Sequence, residues 1–243
     1  ANIDVAFIIQ SVDFNFNLRR LERYLVMVYE SGVTPVILLS KCDLVSAQEL
    51  DQIRHSVLTI APAVELYALS SLNGEGMQAI KDSLLPARSY CLLGSSGVGK
   101  TTLLNAIIGS EVFETQAVSR KQNKGRHTTT SRELIQLENG AMFVDTPGMR
   151  ELGNLAVESG IDETFSEIVE LSRLCKFNNC SHTSEKGCAI LAAIDAGELS
   201  EKRYKNYLRM KNESAFNEMS YHQKRQKDKD FGKLIKATLK NKQ

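Results

Sequence analysis

Short apolar runs alternate with stretches of helical spacing along most of the chain. Residues 4–9, 35–39, 64–69 and 90–93 are near-continuous apolar runs of strand length, the pattern of strands buried on both faces. Between them, residues 18–29 carry apolar side chains at 18, 21, 25 and 28. Residues 47–60 place Leu50, Ile53, Val57 and Ile60 on one face, and both spacings predict helices. Further helices are predicted at 77–85 and 103–108. Residues 134–137 and 141–144 read as two more strands, joined by the hairpin signal Glu138-Asn139-Gly140. Residues 110–131 are polar with little periodicity, and a loop of that length is usually functional or disordered. From about residue 160 the strand pattern stops and helical spacing takes over. The expectation is an α/β domain over 1–158 with a mostly parallel sheet covered on both faces. A helical domain over 159–220 and a tail over 221–243 follow it. No internal repeat is visible.

Composition adds limits. Of the 243 residues, 42% are hydrophobic and 24% charged, as in ordinary globular proteins. No apolar run approaches the ~20 residues that span a bilayer, and no secretory signal is visible. Ala1 is not Met, so the chain reads as a piece of a longer one. The net charge of +1 hides an asymmetry, because residues 221–243 hold eight Lys/Arg against Asp228 and Asp230. Five cysteines are an odd number, and three of them cluster with a histidine. That favours a reduced chain with a metal site over a disulfide framework. A cytoplasmic monomer with no membrane span is expected.

The stretch Gly94-Ser95-Ser96-Gly97-Val98-Gly99-Lys100-Thr101-Thr102 fits G-x-x-x-x-G-K-[ST], between a predicted strand and a predicted helix. Its glycines let the backbone fold into a nest of N–H groups around phosphate oxygens, and the helix N-terminus adds its own unpaired donors. Lys100 would reach the β- and γ-phosphates, and the Thr101 hydroxyl would hold Mg²⁺. Asp145-Thr146-Pro147-Gly148 closes a later strand. Asp145 can hold the same Mg²⁺ through a water, and the Gly148 N–H can approach the γ-phosphate. D-x-x-G is weak alone and strong beside the phosphate loop.

Ser40-Lys41-Cys42-Asp43 follows the 35–39 strand. A carboxylate at Asp43 can accept both N1–H and the 2-amino group of guanine. Adenine offers neither donor and would leave a buried carboxylate unpaired. The Lys41 stem would pack over the base. The alternative for 40–43 is a strand-end turn with a surface Lys and Asp. Ser70-Ser71-Leu72 follows the 64–69 strand and could offer backbone N–H groups to the guanine oxygen, a weak signal alone. Base recognition thus precedes the phosphate loop, and Asp145 comes last. Ordinary GTPases run phosphate loop first, so the order is that of a circularly permuted GTPase.

Cys175-x4-Cys180-x-His182-x5-Cys188 brings four potential ligands into fourteen residues. Three thiolates and one imidazole suit tetrahedral Zn²⁺, and a closed set of four implies a structural site. Three free cysteines, or one disulfide with a spare thiol, are the alternatives. Cys42 and Cys91 read as ordinary buried cysteines. The tail mixes its basic residues with Tyr221, His222 and Phe231. It reads either as an RNA-contacting segment or as a solvated end.

With these residues in hand the chain resembles the RsgA (YjeQ) family of small-subunit-dependent GTPases. The resemblance rests on the permuted motif order, on Gly125-Arg126-His127-Thr128-Thr129-Thr130 and on the Cys/Cys/His/Cys spacing, and it covers nearly the whole chain. It implies a GTPase that binds GTP and GDP and acts late in maturation of the small (30S) ribosomal subunit, with rRNA as partner. It also implies that the polar loop senses γ-phosphate and that one threonine of 128–130, such as Thr129, completes Mg²⁺ coordination. The family usually begins with an OB-fold domain, whereas Ala1 stands at the edge of the GTPase domain. Ser40 replaces the usual Asn, and Lys186 stands where Pro is frequent.

Many GTPases place a Gln just after D-x-x-G to orient the attacking water. That position is Met149 here. His127 is the candidate replacement, since imidazole can orient or deprotonate water near neutral pH. Two other functions compete. One is an ATP-using protein, against which Lys41 and Asp43 argue. The other is a GTP-gated zinc/RNA-binding module with negligible turnover.

Overall fold

A computed structural model describes residues 3–109, 133–145, 158–220 and 222–226. It divides into two compact units, Ala1–Leu152 and Gly153–Gln243. The predicted polar loop, with His127 and the threonine run, lies outside the described residues. So do Gly148, Met149, the Asp145 side chain and nearly all of the tail.

The first unit is built on β1 (Val5–Ser11), α1 (Leu18–Glu30), β2 (Thr34–Ser40), α2 (Ala47–Ile60), β3 (Glu65–Ala68), α3 (Met77–Ser83), β4 (Ser89–Leu93), α4 (Lys100–Ile108), β5 (Glu133–Gln136) and β6 (Met142–Asp145). The six strands form one sheet in the order β3-β2-β1-β4-β6-β5. All neighbours are parallel except the β5–β6 hairpin. Short right-angled loops could not join parallel neighbours, so helices cross over between them and cover both faces.

The alternation along each strand divides the core. Ala6 and Ile8 of β1, with Ile37 and Leu39 of β2, face α1 and α2 through Leu21, Leu25, Val28, Val57 and Ile60. Phe7 and Ile9, with Val36 and Leu38, face α3 and α4 through Met77, Ile80, Leu103, Leu104 and Ile107. Both faces being buried explains why these strands read as continuous apolar runs. On the second face Tyr90 packs between Phe7 and Phe143, with ring centroids 5.3 and 5.5 Å away. The Tyr90 hydroxyl accepts the Leu85 N–H at 2.7 Å, so its polar end is satisfied.

Element ends follow local chemistry. Asn17 caps α1 by accepting the Arg20 N–H at 3.1 Å. Ser46 and Glu49 form a capping box on α2. β1 runs to Ser11 rather than stopping at Ile9, because Gln10 and Ser11 continue the ladder with Leu39 and Ser40. Both are fully buried polar residues, and their side chains reach Arg20 and Asp13. α3 ends at Ser83, short of the predicted Leu85, because Leu84 turns extended ahead of Pro86.

The second unit holds α5 (Glu158–Thr164), α6 (Ser166–Arg173), α7 (Ala189–Asp195) and α8 (Glu201–Glu218). Ile161, Phe165, Ile168, Ile190 and Tyr204 are buried. Arg203 of α8 lies 4.8 Å over the Phe165 ring and pairs with Glu167. Among the described residues no helix is long and apolar enough to cross a membrane.

The aromatic trio makes a direct prediction. Phe143→Ala should lower unfolding free energy by about 3–5 kcal/mol, the usual result for a buried Phe. Urea titration of the variant against the unsubstituted chain measures it.

Candidate functional site

Five parallel strands end at the same sheet edge, and the groups singled out in the sequence follow those ends. The chain winds outward from β1 through β2 to β3, then returns to β4 on the other side of β1. The crevice at the carboxyl ends of β1 and β4 is therefore the topological switch point, where open α/β sheets bind ligands.

The phosphate loop continues β4 into that crevice. β1 and β4 pair with Ile8 opposite Leu93. The loop then passes so close to β1 that a Cβ on Gly94 would lie 2.6 Å from the Ile9 carbonyl oxygen. Only glycine permits that approach. Gly97 and Gly99 take φ of 80° and 94°, in the left-handed region that glycine adopts without strain. Val98 turns inward and is buried in the core with Leu103 and Leu104. Lys100 is the first residue of α4, and its ammonium donates to the Gly94 and Ser95 carbonyls at 2.6 and 2.8 Å. Ser96, Gly97, Thr101 and Thr102 are exposed, and Ser95 is half-buried. The loop thus presents backbone donors and a helix N-terminus where an anion can bind. Thr101 stands on the first turn of α4, and Asp145 ends β6, the strand that pairs with β4. Those positions suit a Mg²⁺ ion held beside bound phosphates.

The turn after β2 stands beside this loop. The Ser40 hydroxyl is buried and donates to the Val98 carbonyl at 2.7 Å, tying the end of β2 to the phosphate loop. Lys41 adopts a left-handed backbone with φ 61°. Cys42 faces the core and donates its N–H to the Leu69 carbonyl at 3.2 Å. Burial pushes its thiol pKa upward, and that of Cys91 up to about 11. Both therefore act as small apolar groups. Asp43 is exposed, and one of its carboxylate oxygens accepts the Ser70 hydroxyl. The Ser70 N–H is engaged by the Glu75 carbonyl at 2.9 Å. Ser70 thus serves the turn by orienting Asp43, while Ser71 stands half-buried beside it.

In the second unit Cys175, Cys180, His182 and Cys188 bring their ligand atoms within 4.8 Å of one another. The Cys175 and Cys188 sulfurs are 3.9 Å apart. An edge of about 3.8 Å is what a tetrahedron with Zn–S bonds of about 2.3 Å requires. His182 Nδ1 lies 3.4 and 3.5 Å from the same two sulfurs, so Nδ1 is the nitrogen turned inward. The donor set and spacing could hold a zinc ion. Tyr204 of α8 donates its hydroxyl to the His182 carbonyl at 2.9 Å. Burial pushes the pKa of that phenol up to about 12, so it stays a donor.

The model of the RsgA GTPase family matches residues 1–155 of this chain. The chain belongs to the RsgA GTPase family. A Listeria monocytogenes protein named small ribosomal subunit biogenesis GTPase RsgA 2 is 39% identical over 246 residues, covering 99% of this chain and 69% of the relative. The Methanosarcina acetivorans protein named small ribosomal subunit biogenesis GTPase RsgA is 44% identical over 216 residues, covering 89% and 58%. Among solved structures, YjeQ from Thermotoga maritima superposes with a TM-score of 0.65 at 27% identity, covering 88% of this chain and 72% of that one. YloQ, described as a circularly permuted GTPase, gives 0.64 at 26%, covering 90% and 71%. The permuted order read from the motifs is that of this family.

Two groups in this RsgA-family chain escape a motif reading. Asp13 and Asn15, in the β1–α1 connection, reach Lys41 and Ser95 respectively. No strand or helix period runs through them, so the pattern of the sequence does not single them out. The other is Glu185. Its carboxylate accepts N–H groups from Ser181, Thr183 and Ser184 at 2.9, 3.1 and 3.2 Å, and the Ser181 hydroxyl as well. The Ser181 hydroxyl and N–H, then the Ser184 N–H, lower its pKa from 4.5 to about 2. A depressed folded-state pKa means that this clasp is complete above about pH 4.5 and lost as pH falls towards 2.

Glu185→Gln should loosen the turn that carries His182. Zinc held by the four ligands should then bind more weakly, because the turn that fixes His182 between Ser181 and Thr183 loses its clasp. Competition with a chromogenic chelator at neutral pH measures it.

Proposed function

We propose that this chain binds GTP at the switch-point crevice and hydrolyses it in biogenesis of the small ribosomal subunit. The observation that carries the reading is the meeting of the Ser40–Asp43 turn and the phosphate loop at one sheet edge, in a chain of the RsgA GTPase family. The relatives are named for that process.

Each residue then has a task. Asp43 accepts guanine N1–H and the 2-amino group, with Ser70 holding the carboxylate in place. The Lys41 stem covers the base. The amides of 94–99 and the Lys100 ammonium take the β- and γ-phosphates. Thr101, Asp145 and a threonine such as Thr129 would hold Mg²⁺, which would neutralise charge at the phosphates. Gly148 offers its N–H to the γ-phosphate. His127 orients the attacking water in place of the Gln that Met149 displaces. One structural Zn²⁺ is assigned to Cys175, Cys180, His182 and Cys188, and the basic tail 221–243 to rRNA.

Met149 also favours a second reading, a GTP-gated binding module with negligible turnover. Phosphate release with and without 30S subunits separates the two. Stimulated release supports the hydrolase, and its absence supports the module. His127→Ala should keep GTP affinity and lose most of the stimulated rate, consistent with the ~10²–10⁴-fold worth of a positioned base. Asp43→Asn presents a donor to guanine N1–H. It should weaken GTP binding and improve binding of xanthosine triphosphate, read by nucleotide competition. Unchanged GTP affinity would put the base elsewhere.

A further inference from the structure

The connection between β1 and α1 touches both halves of the nucleotide site. It leaves the sheet at the switch point, directly after Ser11. The Asp13 carboxylate is held on one oxygen by the Ser11 hydroxyl at 2.7 Å and by the Asn15 N–H at 3.0 Å. Its other oxygen accepts the Lys41 ammonium at 3.0 Å. The Asp13 side chain is 12% exposed, so this pair is better shielded than a surface ion pair. Two residues on, the Asn15 amide donates to the Ser95 hydroxyl of the phosphate loop at 3.3 Å. Asn15 is itself gripped by Arg20, whose guanidinium donates to its carbonyl and to its side-chain oxygen. Arg20 also reaches the buried Gln10 side chain at 3.4 Å.

We propose that residues 13–15 form a strap that positions the base-covering lysine and the phosphate loop together, Asp13 acting through Lys41 and Asn15 through Ser95. The proposal rests on the reading of this crevice as a guanine-nucleotide site. Lysine is a flexible cation on a four-carbon stem. Left free, it loses rotamer freedom when it settles over a base. Anchored at its head by Asp13, and with its backbone already in the left-handed turn, it has lost that freedom beforehand. Binding then gains affinity through preorganisation rather than through a new contact with the nucleotide. Because the anchor acts on the base side, it serves GDP and GTP alike.

Desolvation raises the Asp13 pKa, but Ser11, Asn15 and Lys41 together bring it below its ordinary value. The carboxylate is therefore ionised throughout the neutral range, so the strap is a fixed part of the site.

The test is a double-mutant cycle on affinity for fluorescent methylanthraniloyl-GDP, using the full chain. Asp13→Asn should weaken binding roughly tenfold, and Asp13→Glu should recover part of the loss. In a Lys41→Ala background, Asp13→Asn should cost nothing further, since coupled residues are non-additive. An equal loss in both backgrounds would overturn the proposal, because Asp13 would then act on the fold at large. Unchanged affinity in Asp13→Asn alone would overturn it too. Asn15→Asp keeps the size but removes the donor to Ser95, and should weaken binding with Lys41 either present or replaced. Absence of that loss removes the phosphate half of the strap. Failure of the unsubstituted chain to bind the probe would instead sink the nucleotide-site reading itself.

Discussion

Everything at the proposed nucleotide site depends on how closely the phosphate loop lies against the end of β1. A side chain at position 94 would collide with the Ile9 carbonyl and lift the loop off the sheet. With glycine there, the loop is secured from three directions. Val98 is buried in the core beneath it, the Ser40 hydroxyl takes the Val98 carbonyl, and Lys100 spans the loop to Gly94 and Ser95. The loop's donors are therefore arranged before a phosphate arrives, which limits the ordering cost of binding. Ser40, at the end of β2, makes one of these bonds across the intervening β1.

The second unit answers a different constraint. α5, α6 and α7 have 7, 8 and 7 residues, too short to persist on their own propensity. They rely on α8, through Arg203 and Tyr204, and on the loop that gathers three sulfurs and a ring nitrogen. Much of that loop's hydrogen bonding converges on one carboxylate, Glu185, and on the backbone contact from Lys176 to Gly187 at 3.0 Å. A metal ion in the centre of the 175–188 loop would add a cross-link beside the small apolar core of Ile161, Phe165, Ile168 and Ile190.

Circular permutation is tolerable because the site is a property of the sheet edge. Parallel strands deliver their carboxyl ends to one side whatever their order in the chain, so base recognition can precede the phosphate loop. The closing contacts are correspondingly distant in sequence. Ser40 reaches Val98 across 58 positions, Asn15 reaches Ser95 across 80, and Asp4 accepts the Ser89 N–H and hydroxyl across 85.

The sequence alone determined the strand and helix order of the first unit, the phosphate loop, the turn proposed for guanine and the four candidate metal ligands. These are set by short-range pattern. Burial on both faces makes strands continuously apolar, a phosphate nest needs glycines at fixed spacing, and a tetrahedral metal needs four donors close together. It also carried the permuted order, since order is all a sequence records. What it left to the tertiary structure was every contact between segments far apart in the chain. Gln10 and Ser11 lie beyond the apolar run at 4–9, and their polar side chains are satisfied by Arg20 of α1 and by Asp13 of the β1–α1 connection. Ser70 looked like a backbone donor until its N–H was found engaged and its hydroxyl on Asp43. Asp13, Asn15 and Glu185 carried no motif at all. A hydrogen bond between remote residues leaves no periodicity behind, and the pairing of β1 with both β2 and β4 brings Asp13 to Lys41 and Asn15 to Ser95, whereas the Glu185 clasp is local and follows no motif spacing.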